Sequence, residues 1–96
     1  MAWRIIKQPN GRYARFSEVV DNFTDYDLTR TEAVEMCKSH GLPAGIAEQK
    51  VRWSEADPAR FRGAMEIVRL IHGDEEAAAM AKLLDGDSVG EDREKV

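Results

Sequence analysis

Cysteine is nearly absent from this chain, in which Cys37 is the single cysteine among 96 residues. One thiol cannot form an intramolecular disulfide, and without a second cysteine no paired zinc-finger spacing is available. Proteins that work without disulfides are typical of reducing compartments. The sequence therefore predicts a cytoplasmic protein.

Long hydrophobic runs are also lacking. The longest uninterrupted apolar stretch is residues 77–81, whereas a membrane-spanning helix needs about 20 apolar residues. Residues 1–8 include Arg4 and Lys7 but no apolar run of the length found in signal peptides. We therefore expect neither a membrane span nor a signal peptide.

No part of the chain carries a strong excess of positive charge. The net charge is −4, and residues 74–96 hold eight acidic against three basic side chains. This balance does not indicate nucleic-acid binding, which depends on neutralising several phosphates. The length fits one domain. We expect it to comprise residues 1–85, followed by a disordered acidic tail, residues 86–96, that lacks periodic apolar positions.

The first predicted element is a β-hairpin. Residues 3–8 and 12–16 are rich in strand-forming side chains, and the Pro-Asn-Gly sequence at 9–11 is typical of a turn. A three-residue loop with a glycine bulge would pair Gln8 with Arg12, whereas a two-residue loop would shift the partners by one. We favour the three-residue loop. It places three large side chains on one face: Trp3, Ile5 and Tyr13.

A third strand is predicted after a second turn. Val19 and Val20 are expected to end the second strand, and Asp21-Asn22 is a turn signal. Residues 23–28 then form the third strand. Three strands need helices over a face to be stable.

The hydrophobic period changes to that of a helix at Thr29, where residues 29–32 form a capping box that is followed by a helix ending at Gly41. A second helix is expected from Pro43 to about Ala56, and Asp57 should cap a third helix that begins with Pro58. The third helix has the clearest apolar stripe: Phe61, Ala64, Met65, Val68 and Ile71, widened by Ile67 and Leu70. A fourth helix should follow Gly73, with Asp74 at its start. The sequence therefore predicts an α+β fold with an N-terminal three-stranded antiparallel β-meander and three to four α-helices packed on one face.

Catalytic and metal-binding patterns are weak. Cys37 and His40 are three residues apart on a helix and could face one ion, but His72 is the only other histidine. A buried cysteine and a polar residue in the last turn explain the pair equally well. A core this small also disfavours a pocket of several hundred Å³. We expect no enzyme, no metal and no cofactor.

A helix–turn–helix arrangement is the alternative for the helical region. Met36, Cys37, Gly41 and Leu42 lie near the expected offsets. Residues 43–57 carry a net charge of −1, which would oppose docking of the second helix on phosphate. A basic surface could still come from the hairpin, through Arg4, Lys7, Arg12 and Arg15, or from the third helix, with three candidate nucleic-acid contacts: Arg60, Arg62 and Arg69.

The third strand combines acids with aromatic side chains. Such a strip can meet a basic protein surface, because its charge raises the association rate and its aromatic residues anchor the contact. Alternatively, the aspartates cap turns and protect an edge strand from aggregation. The candidate partner-binding residues are Asp21, Phe23, Asp25, Tyr26 and Asp27.

Residues 5–29, IIKQPNGRYARFSEVVDNFTDYDLT, resemble the opening of small uncharacterised proteins of bacteriophages and prophages. The resemblance covers about a quarter of the chain, and no functional residue carries over from it. It implies a bacterial host cytosol and a protein that binds and blocks a host factor, such as an anti-CRISPR inhibitor. Our leading hypothesis is therefore a non-enzymatic protein–protein interaction module, monomeric or homodimeric, whose partner is a host or phage protein. Trp53 is either a core residue or a dimer contact.

Overall fold

The computed structural model describes residues 2–85 and contains an antiparallel sheet in the order β1-β2-β3, followed by four helices. The strands are β1 (Trp3–Lys7), β2 (Tyr13–Ser17) and β3 (Asn22–Leu28). The helices are α1 (Arg30–Ser39), α2 (Ala44–Ala56), α3 (Ala59–His72) and α4 (Asp74–Asp85). The predicted α+β class is confirmed. The predicted acidic tail, residues 86–96, lies outside the described residues.

The first hairpin has the register expected for a three-residue loop. Ile5 lies opposite Arg15, and the Gln8 N–H donates to the Arg12 carbonyl at 2.8 Å. Gly11, at φ 86°, takes the left-handed conformation that this loop requires, and its N–H donates to the Gln8 carbonyl at 3.0 Å. Trp3, Ile5 and Tyr13 therefore share one face, as predicted.

The second turn begins earlier than predicted. β2 ends at Ser17, so Val19 and Val20 lie in the turn and are exposed, which corrects their assignment to the end of the strand. Asp21 closes the turn in the left-handed region at φ 53°. An aspartate tolerates this conformation better than most residues do.

β3 pairs irregularly with β2. Arg15 lies opposite Asp25 whereas Phe16 lies opposite Phe23, and a second shift separates the pair of Tyr13 and Leu28. Asp27 takes a left-handed φ of 63° at this second irregularity. A bulge of this kind turns a side chain out of the regular alternation. The aspartates of β3 therefore do not lie in one regular row.

Helices cover both faces of the sheet, so the predicted packing on one face is wrong. Ile5 packs with α1 and α2, whereas Ile6 packs with α3 and α4, and neighbouring strand residues point to opposite faces. The buried residues of the α1–α2 cluster are Ile5, Tyr13, Ala33, Cys37, Ala47 and Val51. Those of the α3–α4 cluster are Ile6, Ala14, Phe16, Phe23, Ala64, Val68, Ala77 and Leu84.

The helix ends follow the sequence signals with one change. The capping box is present at Thr29 and Glu32, and Gly73 ends α3. The cap position of α3 is held by Pro58 without a side-chain hydrogen bond, and not by Asp57 as predicted. The Asp57 carboxylate instead lies 3.5 Å from the Arg60 guanidinium.

The apolar stripe of α3 is only partly covered. Ala64 and Val68 are buried, and Phe61 and Met65 pack partly against the same cluster. Ile71 is exposed, although the stripe placed it in the core. The helix therefore has exposed apolar side chains beside the side that faces the core.

Candidate functional site

The five predicted partner-binding residues do not form one surface. Phe23 and Asp27 are only 6% and 4% exposed. The Phe23 ring packs edge-on against Phe16, with 5.2 Å between centroids, and therefore belongs to the core. Asp21, Asp25 and Tyr26 retain accessible area.

Asp25 is engaged by a neighbouring strand. Its carboxylate lies 2.9 Å from the Arg15 guanidinium, whose Nε also donates to Thr24 Oγ1 at 2.9 Å. This pairing offsets the negative charge that the sequence assigned to partner recognition. Asp25 therefore stabilises the strand pair.

Asp27 belongs to a polar network beneath the first hairpin. Its backbone N–H donates to Gln8 Oε1, and its carboxylate accepts from Asn10 Nδ2 at 3.2 Å. The Gln8 amide also donates to the carbonyl of Leu84 near the end of α4. Buried polar groups require such partners. Asp27 thus joins the hairpin loop, β3 and α4, which the sequence did not reveal.

The arginines of the nucleic-acid alternative are distributed around α3. Arg60 and Arg62 are two residues apart, so they point about 200° apart around the helix. Arg69 is paired with Glu66, which raises its pKa, and lies 3.7 Å from Asp74. The three side chains therefore do not build one continuous basic face for a duplex.

Cys37 and His40 do not converge on a site. Cys37 is fully buried, and this burial raises the pKa of its thiol, so the reactive thiolate is disfavoured. His40 lies against Trp3, with 5.3 Å between ring centroids, and its Nε2 is 2.8 Å from Arg15 Nη1. Within residues 2–85 no group of three or more His, Cys, Asp or Glu side chains is arranged to hold a metal ion.

An open cleft of about 610 Å³ lies between the first hairpin and the α2–α3 junction, although the small core argued against one of this size. Its polar lining residues are Lys7, Gln8, Ser54, Glu55 and Arg62. The Ser54 hydroxyl donates to the Val51 carbonyl at 2.6 Å. Glu55 accepts from Tyr13 at 2.5 Å and from Arg30 at 2.8 Å, and these two hydrogen bonds lower its pKa. Ser54 and Glu55 are therefore already engaged in structural contacts.

Exposed aliphatic side chains lie on α3 and on the β2–β3 turn. Val19, Leu70 and Ile71 are 77%, 69% and 60% exposed. The His72 ring donates to the Val20 carbonyl at 3.0 Å, which holds the turn beside the last turn of α3. We call the exposed apolar residues of the helix itself the α3 surface: Ile67, Leu70 and Ile71.

The surroundings of the α3 surface are acidic at the C-terminal end of the helix, whereas Arg4 and Arg60 lie beside Ile67. Asp74, Glu75 and Glu76 are exposed in the first turn of α4, directly after α3, and Asp21 follows Val20 in the turn. Glu66 neutralises Arg69 on the helix itself. The apolar stripe in the sequence of α3 contained the residues of the α3 surface but predicted that they lie in the core.

A second pocket, of about 230 Å³, combines aromatic and basic side chains. It lies beside β1, which is an edge strand, between the end of α2 and the start of α3. We call it the tryptophan pocket; its lining residues are Trp3, Arg4, Glu18, Lys50, Trp53 and Arg60. Trp53 is 52% exposed and is therefore not a core residue.

No family model, curated protein or solved structure matches this chain. None of the helices within residues 2–85 has both the length and the apolar character needed to span a bilayer. Function must therefore be inferred from the surfaces themselves.

Proposed function

We propose that this protein is a non-enzymatic interaction module that binds another protein through the α3 surface. The observation behind this proposal is the exposure of Leu70 and Ile71 on a helix whose apolar stripe is wider than the core it covers. Exposed contiguous apolar area on a small protein commonly marks a binding site. The occupant is a partner whose contact area is apolar at its centre and basic at its rim.

Burial of the aliphatic side chains supplies the affinity. Fully burying one Leu or Ile side chain is worth about 1.5–3 kcal/mol before the losses of association are counted. Ile67 and Ile71 are four residues apart and Leu70 lies three residues after Ile67, so all three fall on one side of α3. Such helix faces insert into grooves of partner proteins.

The charged residues beside the α3 surface set the orientation of the partner and the rate of association. Asp74, Glu75 and Glu76 follow the C-terminal end of the α3 surface, so a basic rim on the partner would be attracted there and an acidic one repelled. The proposed contact therefore lies on α3 and not on β3.

We place this activity in a bacterial cytosol. The resemblance of residues 5–29 to small phage and prophage proteins supports a host factor as the partner, with inhibition by occlusion as the outcome. The single thiol is consistent with a reducing compartment. An anti-CRISPR role is one form of this proposal.

The test compares two matched variants, Leu70→Lys on the α3 surface and Ile46→Lys on α2. Both replace an exposed aliphatic residue of a helix with the same charge, since Ile46 is 47% exposed. Tagged wild type and variants are used for capture from a bacterial lysate, and proteins captured by the wild type are identified by mass spectrometry. The selected partner is then purified, and its Kd is measured for each variant.

We expect Leu70→Lys to weaken binding by about thirtyfold, the effect of losing a contact of about 2 kcal/mol, while Ile46→Lys binds as the wild type does. Reversal of Glu75 and Glu76 to lysine should slow association. Equal binding by all variants would exclude the α3 surface. A purified chain that dimerises in solution, with Leu70→Lys restoring the monomer, would show that the occupant is a second copy and that the proposed partner is wrong.

A further inference from the structure

The tryptophan pocket adjoins the Ile67 end of the α3 surface, because Arg4 and Arg60 line both this pocket and a small cavity beside Ile67, but its chemistry is different. α2 covers one face of the sheet and α3 covers the other, and the pocket opens where the two helices meet beside the edge strand β1. Two indoles and three basic side chains line it, with Glu18 as the single acid. This combination suits a ligand that is both aromatic and anionic.

The two tryptophans have different roles in this pocket. The ring of Trp3 is already contacted by Lys50 Nζ at 4.9 Å from its centroid and by the Arg15 guanidinium at 5.6 Å. The His40 ring also lies against it. Trp53 is about half exposed and has no ring or cation contact among the described residues. Trp53 can therefore stack on a ligand, while Trp3 holds Lys50 in place.

Lys50 is the least neutralised cation of the pocket. Its Nζ donates to the Trp3 carbonyl at 3.4 Å, and within residues 2–85 it forms no ion pair. Arg4 is paired with Glu18, whereas Arg60 has a longer contact of 3.5 Å with Asp57. Lys50 and Arg60 are thus the cations that an anion can reach most directly.

The electrostatics support the same assignment. Burial lowers the pKa of Lys50, and the nearby charges of Arg60 and Arg4 lower it further, although Cys37 and Glu18 act in the opposite direction. A cation in these surroundings is destabilised until a negative charge joins it. A bound phosphate would supply that charge.

We propose that the tryptophan pocket binds a nucleotide unit, with its base stacked on Trp53 and its phosphate held by Lys50 and Arg60. Stacking on an exposed aromatic ring tolerates any base, because every base has a π-face. Two accessible cations match one or two phosphates, whereas a long duplex would need many more. The net charge of −4 also opposes an extended polyanion. The unit is therefore a free nucleotide or part of a single strand.

Two probes distinguish these sources: ADP, and a fluorescein-labelled thymidine decamer. ADP binding is measured by calorimetry and decamer binding by fluorescence polarisation, with inorganic pyrophosphate as the phosphate-only probe. The variants are Trp53→Leu and Lys50→Met, the second of which keeps an unbranched chain over Trp3. Lys82→Met on α4 makes the same change in net charge outside the pocket and serves as the control.

We expect about a tenfold or greater loss of binding for Trp53→Leu, in line with the contribution of one stacked base. Lys50→Met should lose as much while remaining at least as resistant to heat as the wild type, since it removes a partly buried charge. Contacts to two phosphates of a strand would give a slope of about −1.4 in log K against log salt. Preference for ADP identifies a free nucleotide, and preference for the decamer identifies a strand.

Three outcomes would overturn the assignment. The first is no binding of either probe at millimolar concentration. The second is binding that Trp53→Leu and Lys50→Met leave unchanged. The third is pyrophosphate binding as tight as that of ADP and insensitive to Trp53→Leu, which would describe a simple anion site.

Discussion

Tyr13 connects the core to the charged surface through its hydroxyl. The residue is buried in the α1–α2 cluster, and its OH donates to Glu55, which also accepts from Arg30. Burial, followed by the hydrogen bond and charge of Glu55, raises the pKa of Tyr13 to about 12 from 10.0. The hydrogen bond from Tyr13 in turn lowers the pKa of Glu55 below 4.5.

These shifts predict how stability depends on pH. A raised folded-state pKa means that the contribution of Tyr13 is complete below pH 10.0 and is lost as the pH rises towards 12. The lowered pKa of Glu55 acts in the opposite direction, so its contribution is present above pH 4.5 and is lost as the pH falls further. Tyr13→Phe should reduce both dependences and cost about 1.5 kcal/mol at neutral pH.

Urea denaturation across this pH range measures the effect, with Tyr26→Phe as the matched control. Tyr26 is an exposed tyrosine of β3, and its replacement should leave the free energy of unfolding unchanged at every pH. If Tyr13→Phe kept the full alkaline loss of stability, the Tyr13–Glu55 bond would not be its cause.

For single residues, the sequence predicts backbone conformation better than it predicts burial and hydrogen-bond partners. Gly11 and the capping threonine Thr29 could be identified because their signals are local. The burial of Asp27 could not, because it depends on Gln8 and on Leu84, which is far away along the chain. From the sequence alone, Asp27 is expected to be a surface charge like Asp21 and Asp25. Only the bulge in β3 shows that it is buried.

Two glycines, one inside α3 and one at its end, allow the effect of backbone conformation on stability to be separated from that of side-chain packing. Gly63 lies inside the helix, and an added Cβ would meet nothing within 4 Å. Gly73 likewise has open space, but its φ of 97° is one that side chains rarely adopt. Any difference between alanine substitutions at these two positions therefore comes from backbone conformation.

We expect Gly63→Ala to stabilise the protein by about 0.5–1 kcal/mol, because glycine is a poor helix former. Gly73→Ala should destabilise it by about 1 kcal/mol or more through strain at the left-handed position. Thermal unfolding would show shifts of opposite sign, each about 4–8 °C per kcal/mol. A loss of stability in Gly63→Ala would mean that the helix is closely approached there.

Boundaries of elements were largely predictable, whereas their exposed sides were not. Thr29 marks the start of α1 and Gly73 the end of α3, and the structure places both boundaries at these signals. The stripe on α3 predicted core residues correctly at Ala64 and Val68 but failed at Ile71. Periodicity shows which side of a helix is apolar, but it does not show how much of that side a neighbouring element covers.

For the whole molecule, the main error concerned the sheet. Ile5-Ile6 and Tyr13-Ala14 are adjacent pairs that are buried on opposite faces. Consecutive apolar residues are typical of strands covered on both sides, so this signal was present in the sequence. The prediction of helices on one face followed instead from the common pattern in which an antiparallel sheet has one packed and one solvated face. The candidate binding surfaces depend on the three-dimensional arrangement and were not predictable residue by residue.

A sheet shared by two cores predicts cooperative unfolding. Trp3 packs against the α1–α2 cluster and Trp53 lies on α2, so their fluorescence reports mainly on that side of the sheet. Val68 is fully buried on the other side, and Val68→Ala should cost about 1–3 kcal/mol. Because Ile5 and Ile6 are neighbours in one strand, loss of the α3–α4 cluster should also release the α1–α2 cluster. Val68→Ala should therefore lower the urea midpoint seen by fluorescence as much as that seen by far-UV circular dichroism. A fluorescence midpoint that stayed at the wild-type value while the dichroism midpoint fell would mean that the two sides unfold independently.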